Sequence, residues 1–174
     1  MLHPMLRKLL LAATLMAAAA TSQAQTSPLD ALNFLRGTWT ASTNANGSAG
    51  ATAIGTYTFA RDLNGYALQR TGSLDKCTGP KTFDCQHHDQ LTIYADPTGA
   101  LAALYIDSEG HVIQYSIATP DATTAIFTSQ GPAAAPHFKL IYHFDGKVMT
   151  GKFQGAAPGS TDFHSYLEWS GTKQ

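Results

Sequence analysis

Beyond Trp39 the chain alternates apolar and polar residues with a period of two, the spacing at which successive strand side chains face opposite sides of a sheet. The stretch from His137 to Phe144 is the plainest case: Phe138, Leu140, Tyr142 and Phe144 share one face, while His137, Lys139 and His143 share the other, expected to be wet. The pattern predicts ten strands, near 38–44, 51–60, 66–73, 88–95, 100–107, 111–118, 123–129, 137–144, 147–154 and 162–170. Turn chemistry separates them at Asn64-Gly65, Asp96-Pro97-Thr98-Gly99, Ser108-Glu109-Gly110, Thr119-Pro120-Asp121 and Asp145-Gly146. Links this short join antiparallel strands, because a parallel crossover takes about a dozen residues or more. An open meander would leave two long unpaired edges. The expected fold is therefore all-β, a ten-stranded antiparallel up-and-down β-barrel with one short N-terminal helix.

That helix is read just before the first strand. Ser27 can cap it, Pro28 suits the first helical position and Asp30 can close a capping box. Leu29, Leu32 and Leu35 form one apolar stripe at a spacing of three, and Gly37 is expected to end the helix in a left-handed conformation. A helix too short to stand alone is best placed as a lid on one end of the barrel, with Trp39 packed beneath it.

Residues 1–24 carry a basic head (Arg7, Lys8), an apolar run from Leu9 to Ala20, and small residues Ser22 and Ala24 placed for cleavage before Gln25. This is the pattern of a secretory signal peptide, and the run is shorter than the roughly 18 residues expected of a membrane-spanning helix. The expected organisation is a signal peptide at 1–24 and a single barrel domain at 25–174, in the periplasm or secreted. Losing Arg7 and Lys8 with the leader takes the formal charge from −1 to −3. No cluster of lysine and arginine makes a local basic face, which argues against nucleic acid as a partner and against a basic membrane-binding surface. Membrane insertion after cleavage is not expected either.

Leu35 to Trp39, with Gly37-Thr38-Trp39 at its end, then Gly55-Thr56-Tyr57-Thr58-Phe59 and the turn Leu63-Asn64-Gly65, resemble the opening of small bacterial lipocalin-like domains of the calycin superfamily. The resemblance implies a barrel that binds small, mostly apolar molecules inside, with Gly37 and Trp39 as a structural signature at its base. In length and opening the chain also resembles the nitrobindin-like barrels, which implies haem bound by a histidine on the last strand, here His164. The chain lacks that family's glycine-rich run and Tyr-Pro pair after the tryptophan. Strict alternation also argues against the role, since pointing His164 inward turns Leu167 and Trp169 out.

Cys77 and Cys85, read in the loop after the third strand, are expected to form a disulfide in an exported chain. Zinc bound by the two cysteines with His87 and His88 is disfavoured, because adjacent strand residues point to opposite faces. No nucleophile elbow, phosphate loop or histidine pair at helical spacing is present, and most carboxylates fall in turns. Neither a cofactor nor a catalytic residue is indicated, and a binding protein is favoured over an enzyme or a barrel with a filled core. Tyr57, Tyr66, Tyr105, Tyr142 and Trp169 are the candidate cavity-lining residues. Arg70 shares the phase of Tyr66 and Leu68, the phase expected to point inward. With no inward carboxylate evident on a neighbouring strand, a buried guanidinium would call for a ligand with an apolar body and an anionic head, such as a fatty acid.

Overall fold

The computed structural model describes residues 26–44 and 50–174; the expected leader at 1–24 lies outside them. The leucine spacing of three decides the first element. In a 3₁₀ helix, with three residues per turn, positions i and i+3 eclipse. Pro28–Leu35 takes that form, and Leu29, Leu32 and Leu35 all become buried. The capping box forms as expected: the Leu29 N–H donates to Ser27 Oγ at 3.3 Å, and the Ser27 N–H donates to Asp30 Oδ2 at 3.0 Å. Gly37 has a φ of 120° but is not the cap. Arg36, in extended conformation, ends the helix, and Gly37 opens the first strand.

Ten strands follow: β1 (Gly37–Thr43), β2 (Thr52–Asp62), β3 (Ala67–Thr78), β4 (Asp89–Ala95), β5 (Leu101–Asp107), β6 (Val112–Asp121), β7 (Thr124–Ser129), β8 (His137–Phe144), β9 (Val148–Ala156) and β10 (His164–Lys173). Each pairs antiparallel with its neighbours in sequence, and β1 pairs with β10 from Trp39↔Lys173 to Thr43↔Trp169, closing the barrel. β3 runs past its expected end because a register shift opposite Ile54 and Gly55 lets it stay paired to Thr78. Thr119-Pro120-Asp121 is not the turn it resembles. Pro120 sits where β6 shifts register between Ala118 and Asp121, a place that tolerates a missing N–H.

The core lies inside the barrel toward the helix end. Trp39 is fully buried, and its indole N–H donates to the Leu35 carbonyl at 2.8 Å, satisfying an acceptor that the helix end leaves open. Above it the ring of Tyr57 lies 6.4 Å away, and Tyr57, Phe59, Phe127 and Tyr142 pack edge-on or tilted against one another. This aromatic layer plugs one end of the barrel.

Candidate functional site

Above the plug the barrel holds a cavity of about 560 Å³ that opens at the end away from the helix. Tyr57, Tyr142 and Trp169 line its floor, and Leu140, Phe138, Phe153 and Ile113 its apolar walls. The loop between β3 and β4 carries Phe83, Asp84 and His87 to the mouth. Cys77 and Cys85 are bonded, with Cα atoms 5.5 Å apart, and tie that loop down. Cys77 is on β3 itself rather than in the loop.

Of the residues read as cavity lining, Tyr57, Arg70, Tyr105, Tyr142 and Trp169 are brought together, and Tyr66 is not. Asp62 caps a short 3₁₀ turn at Leu63–Gly65, with Asn64 at φ 56°, and Tyr66 ends that turn instead of starting β3; its side chain is 78% exposed. The inward phase of β3 holds from Leu68 to Arg70.

Arg70 does not stand alone, contrary to the sequence reading. Its Nη1 donates to Asp89 Oδ1 on β4, and the two side chains are only 15% and 18% exposed. The guanidinium also lies 5.5 Å above the Tyr57 ring. Asp89 was legible in principle. Leu91 and Ile93 are the inward residues of β4, so Asp89 shares their phase, and so does His87 just before the strand. Burial would raise the Asp89 carboxyl, but Arg70 and then His87 outweigh it and hold its pKa below the ordinary value. Burial likewise works against charge on Arg70, and Tyr142, Asp89, Tyr57 and Tyr105 around it raise its pKa instead. The premise for an anionic ligand head, an unneutralised Arg70, is therefore overturned.

The polar chain continues along the wall toward the mouth. The Tyr105 hydroxyl donates to Asp107 Oδ2 at 3.2 Å, and its oxygen lies 3.0 Å from His87 Nε2. A hydroxyl has one hydrogen, so with that spent on Asp107 the imidazole must donate from Nε2. His87 stands 3.7 Å from Asp89, an ion-pair distance rather than a hydrogen bond, and 3.6 Å from Glu109. Asp89 raises the His87 pKa, against partial burial, and Asp107 and Glu109 add to the rise. His111 Nδ1 donates to Asp107 at 2.9 Å. Two groups at the mouth, Asp84 with His87 and Glu109, and Asp107 with Glu109 and His111, offer ligand atoms within 4.8 Å of one another.

The floor differs in kind. The Tyr57 hydroxyl, the Tyr142 hydroxyl, Trp169 Nε1 and Arg70 Nε are buried with no hydrogen-bond partner among the described residues. The Trp169 N–H lies close enough to the Tyr57 hydroxyl to lower its pKa without reaching hydrogen-bond geometry. Burial prevails, with Arg70 also pulling down, and pushes that hydroxyl up to about 12.

His164 is not part of this site. A register shift in β10 between Ser165 and Leu167 sets His164 opposite Gly155, in phase with Leu167 and Trp169, so the alternation argument against it fails. The side chain is nevertheless 80% exposed, 3.3 Å from Asp162 and outside the cavity lining.

The fold and site thus define a closed, ten-stranded antiparallel barrel with a plugged base and an open cavity. No protein-family model matches the chain, and no curated protein matches it.

Proposed function

We propose that this is an exported barrel of the lipocalin-like kind that holds a small amphipathic molecule in its cavity. The observation that carries the reading is a cavity of about 560 Å³, within the range of small-molecule sites, whose apolar walls end at a buried polar floor. Export is supported by the leader pattern and agrees with the Cys77–Cys85 disulfide. The kinship rests on the Gly37-Thr38-Trp39 opening; lipocalins proper close with eight strands, so ten marks a departure within that reading.

Native mass spectrometry of the protein purified from the extracytoplasmic fraction should reveal an added small-molecule mass, and the neutral dye Nile Red should bind. Gly155 lines the cavity, and a Cβ there meets nothing nearer than Phe138 at 3.9 Å, so Gly155→Leu should fill the space and abolish uptake without unfolding the barrel. Dye binding that persists in this variant would remove the cavity as the site.

The chain Arg70–Asp89–His87–Tyr105–Asp107 favours a second reading, catalysis in the same cavity. Conversion of the carried-over molecule that is lost in His87→Gln would support it. Recovery of the molecule unaltered supports a carrier.

A further inference from the structure

We infer that the cavity takes a neutral molecule bearing a hydrogen-bond acceptor, a ketone, ester, amide or quinone carbonyl, inserted head-first onto Tyr57, Tyr142 and Trp169. The inference rests on the small-molecule reading above and names the chemical class of its ligand.

The unused hydrogen-bonding capacity of the floor carries it. Trp169 Nε1 and Arg70 Nε can only donate, and among the described residues both are buried without an acceptor in hydrogen-bond geometry. The Tyr57 and Tyr142 hydroxyls can donate or accept, and both are also unpartnered. Tyr57, Tyr142 and Trp169 are 5%, 0% and 8% exposed and all line the cavity. Two obligate donors and two hydroxyls in one place are complemented by an acceptor. Burial holds both tyrosines in the neutral, donating form. Leaving such donors unmatched is costly, which makes the floor selective for the group that fills it.

Charge decides against an anionic head. Arg70 is neutralised by Asp89, and among the described residues it is the one permanent cation lining the cavity, against the carboxylates of Asp84, Asp89, Asp107 and Glu109. Even with His87 and His111 both protonated, the lining keeps a net charge of −1. A carboxylate ligand would pass an acidic mouth and then press against Asp89, whereas a carbonyl brings the acceptor without the charge.

Three naphthalenes of like shape test this by competition with Nile Red, with a chelator present to keep metal ions off the mouth carboxylates: 2-acetylnaphthalene, 2-ethylnaphthalene and 2-naphthoate. The ketone should bind tightest and the carboxylate no tighter than the hydrocarbon. Tyr57→Phe/Tyr142→Phe should weaken the ketone by about tenfold and the hydrocarbon by less than about twofold, the scale of losing hydrogen bonds alone. Tyr142→Phe by itself should lose part of the same preference. A carboxylate that binds best, or a ketone advantage that survives in the double variant, overturns the inference. Equal binding of ketone and hydrocarbon overturns it too, while leaving cavity binding standing. If none of the three binds and Nile Red is not taken up, both readings fall.

Discussion

The indole of Trp169 occupies the space that a side chain on its cross-strand partner Gly151 would need: a Cβ there would stand 2.0 Å from Cε2 and 2.5 Å from Nε1. Glycine at 151 is thus what allows the bulky residue of β10 to lie against β9 and turn its N–H to the cavity floor. Gly151→Ala should push Trp169 out of place and cost about 1–3 kcal/mol, as overpacking does. Urea unfolding reads the cost, and tryptophan fluorescence reads the displacement. An alanine variant with wild-type stability and spectrum would show that the indole has room to move.

Arg70 and Asp89 should prove far more costly to separate than to remove together. Arg70→Leu leaves a buried carboxylate without its partner and should destabilise by about 3–5 kcal/mol, and Asp89→Leu should do much the same. The double replacement Arg70→Met/Asp89→Leu should recover most of that loss. Losses that simply add in the double variant would contradict the pairing.

Trp39→Ala should cost about 3–5 kcal/mol, because it opens a cavity beneath the 3₁₀ helix and strips the Leu35 carbonyl of its donor. Chemical denaturation measures this, and a cost below about 1 kcal/mol would mean that the lid packs without the tryptophan.

His87 gives stability a pH dependence whose sign follows from its raised pKa. Its contribution is fully present below its unfolded value of 6.5 and is lost as pH rises through the higher folded value. The urea midpoint should fall as pH rises from 6.5 through the raised folded value, and His87→Gln should flatten that fall. Asp89 acts at the other end. Its lowered pKa gives a contribution present above 3.8 and lost as pH falls through the folded value. A His87→Gln variant with an unchanged alkaline slope would place the titration elsewhere.

Alkylation without reductant should label neither Cys77 nor Cys85, and two labelled thiols would contradict the bond. The link closes a short loop, with a chain-entropy contribution of roughly 2.5 kcal/mol at best. Replacing both cysteines with serine should speed hydrogen exchange in the loop that carries Phe83, Asp84 and His87, and leave the strands protected.

Much of the barrel was legible because turn residues and alternation agree. The stretch from His137 to Phe144 lies where its pattern puts it, and Asn64-Gly65 and Asp145-Gly146 mark real reversals. Four features escaped for different physical reasons. Tyr66 carries the right phase, but Asn64 in a left-handed conformation turns the chain through a 3₁₀ turn and frees the side chain. The irregularity near Tyr166 has no signature in residue types, so the phase of His164 could not be counted back from Trp169. Asp89 shares the inward phase of Leu91 and Ile93, yet a carboxylate in that phase reads as a strand start until the partner across the ladder is known. The Tyr105–His87 contact depends on register between strands, which no single stretch contains.

The closing seam bears on how the chain reaches this structure. Nine of the ten strand pairings join neighbours along the chain, whereas β1 meets β10 only after nearly the whole domain has been threaded, and the Gln174 side chain reaches Thr40 across a separation of 134 residues. Such closure carries the largest loop entropy in the molecule and sets a slow last step. Until it happens, β1 and β10 each present a bare edge to any other chain nearby. Substitutions in β10 should therefore act first on the time spent unsealed, and so on the yield of barrel, before they register in the strength of the sealed one.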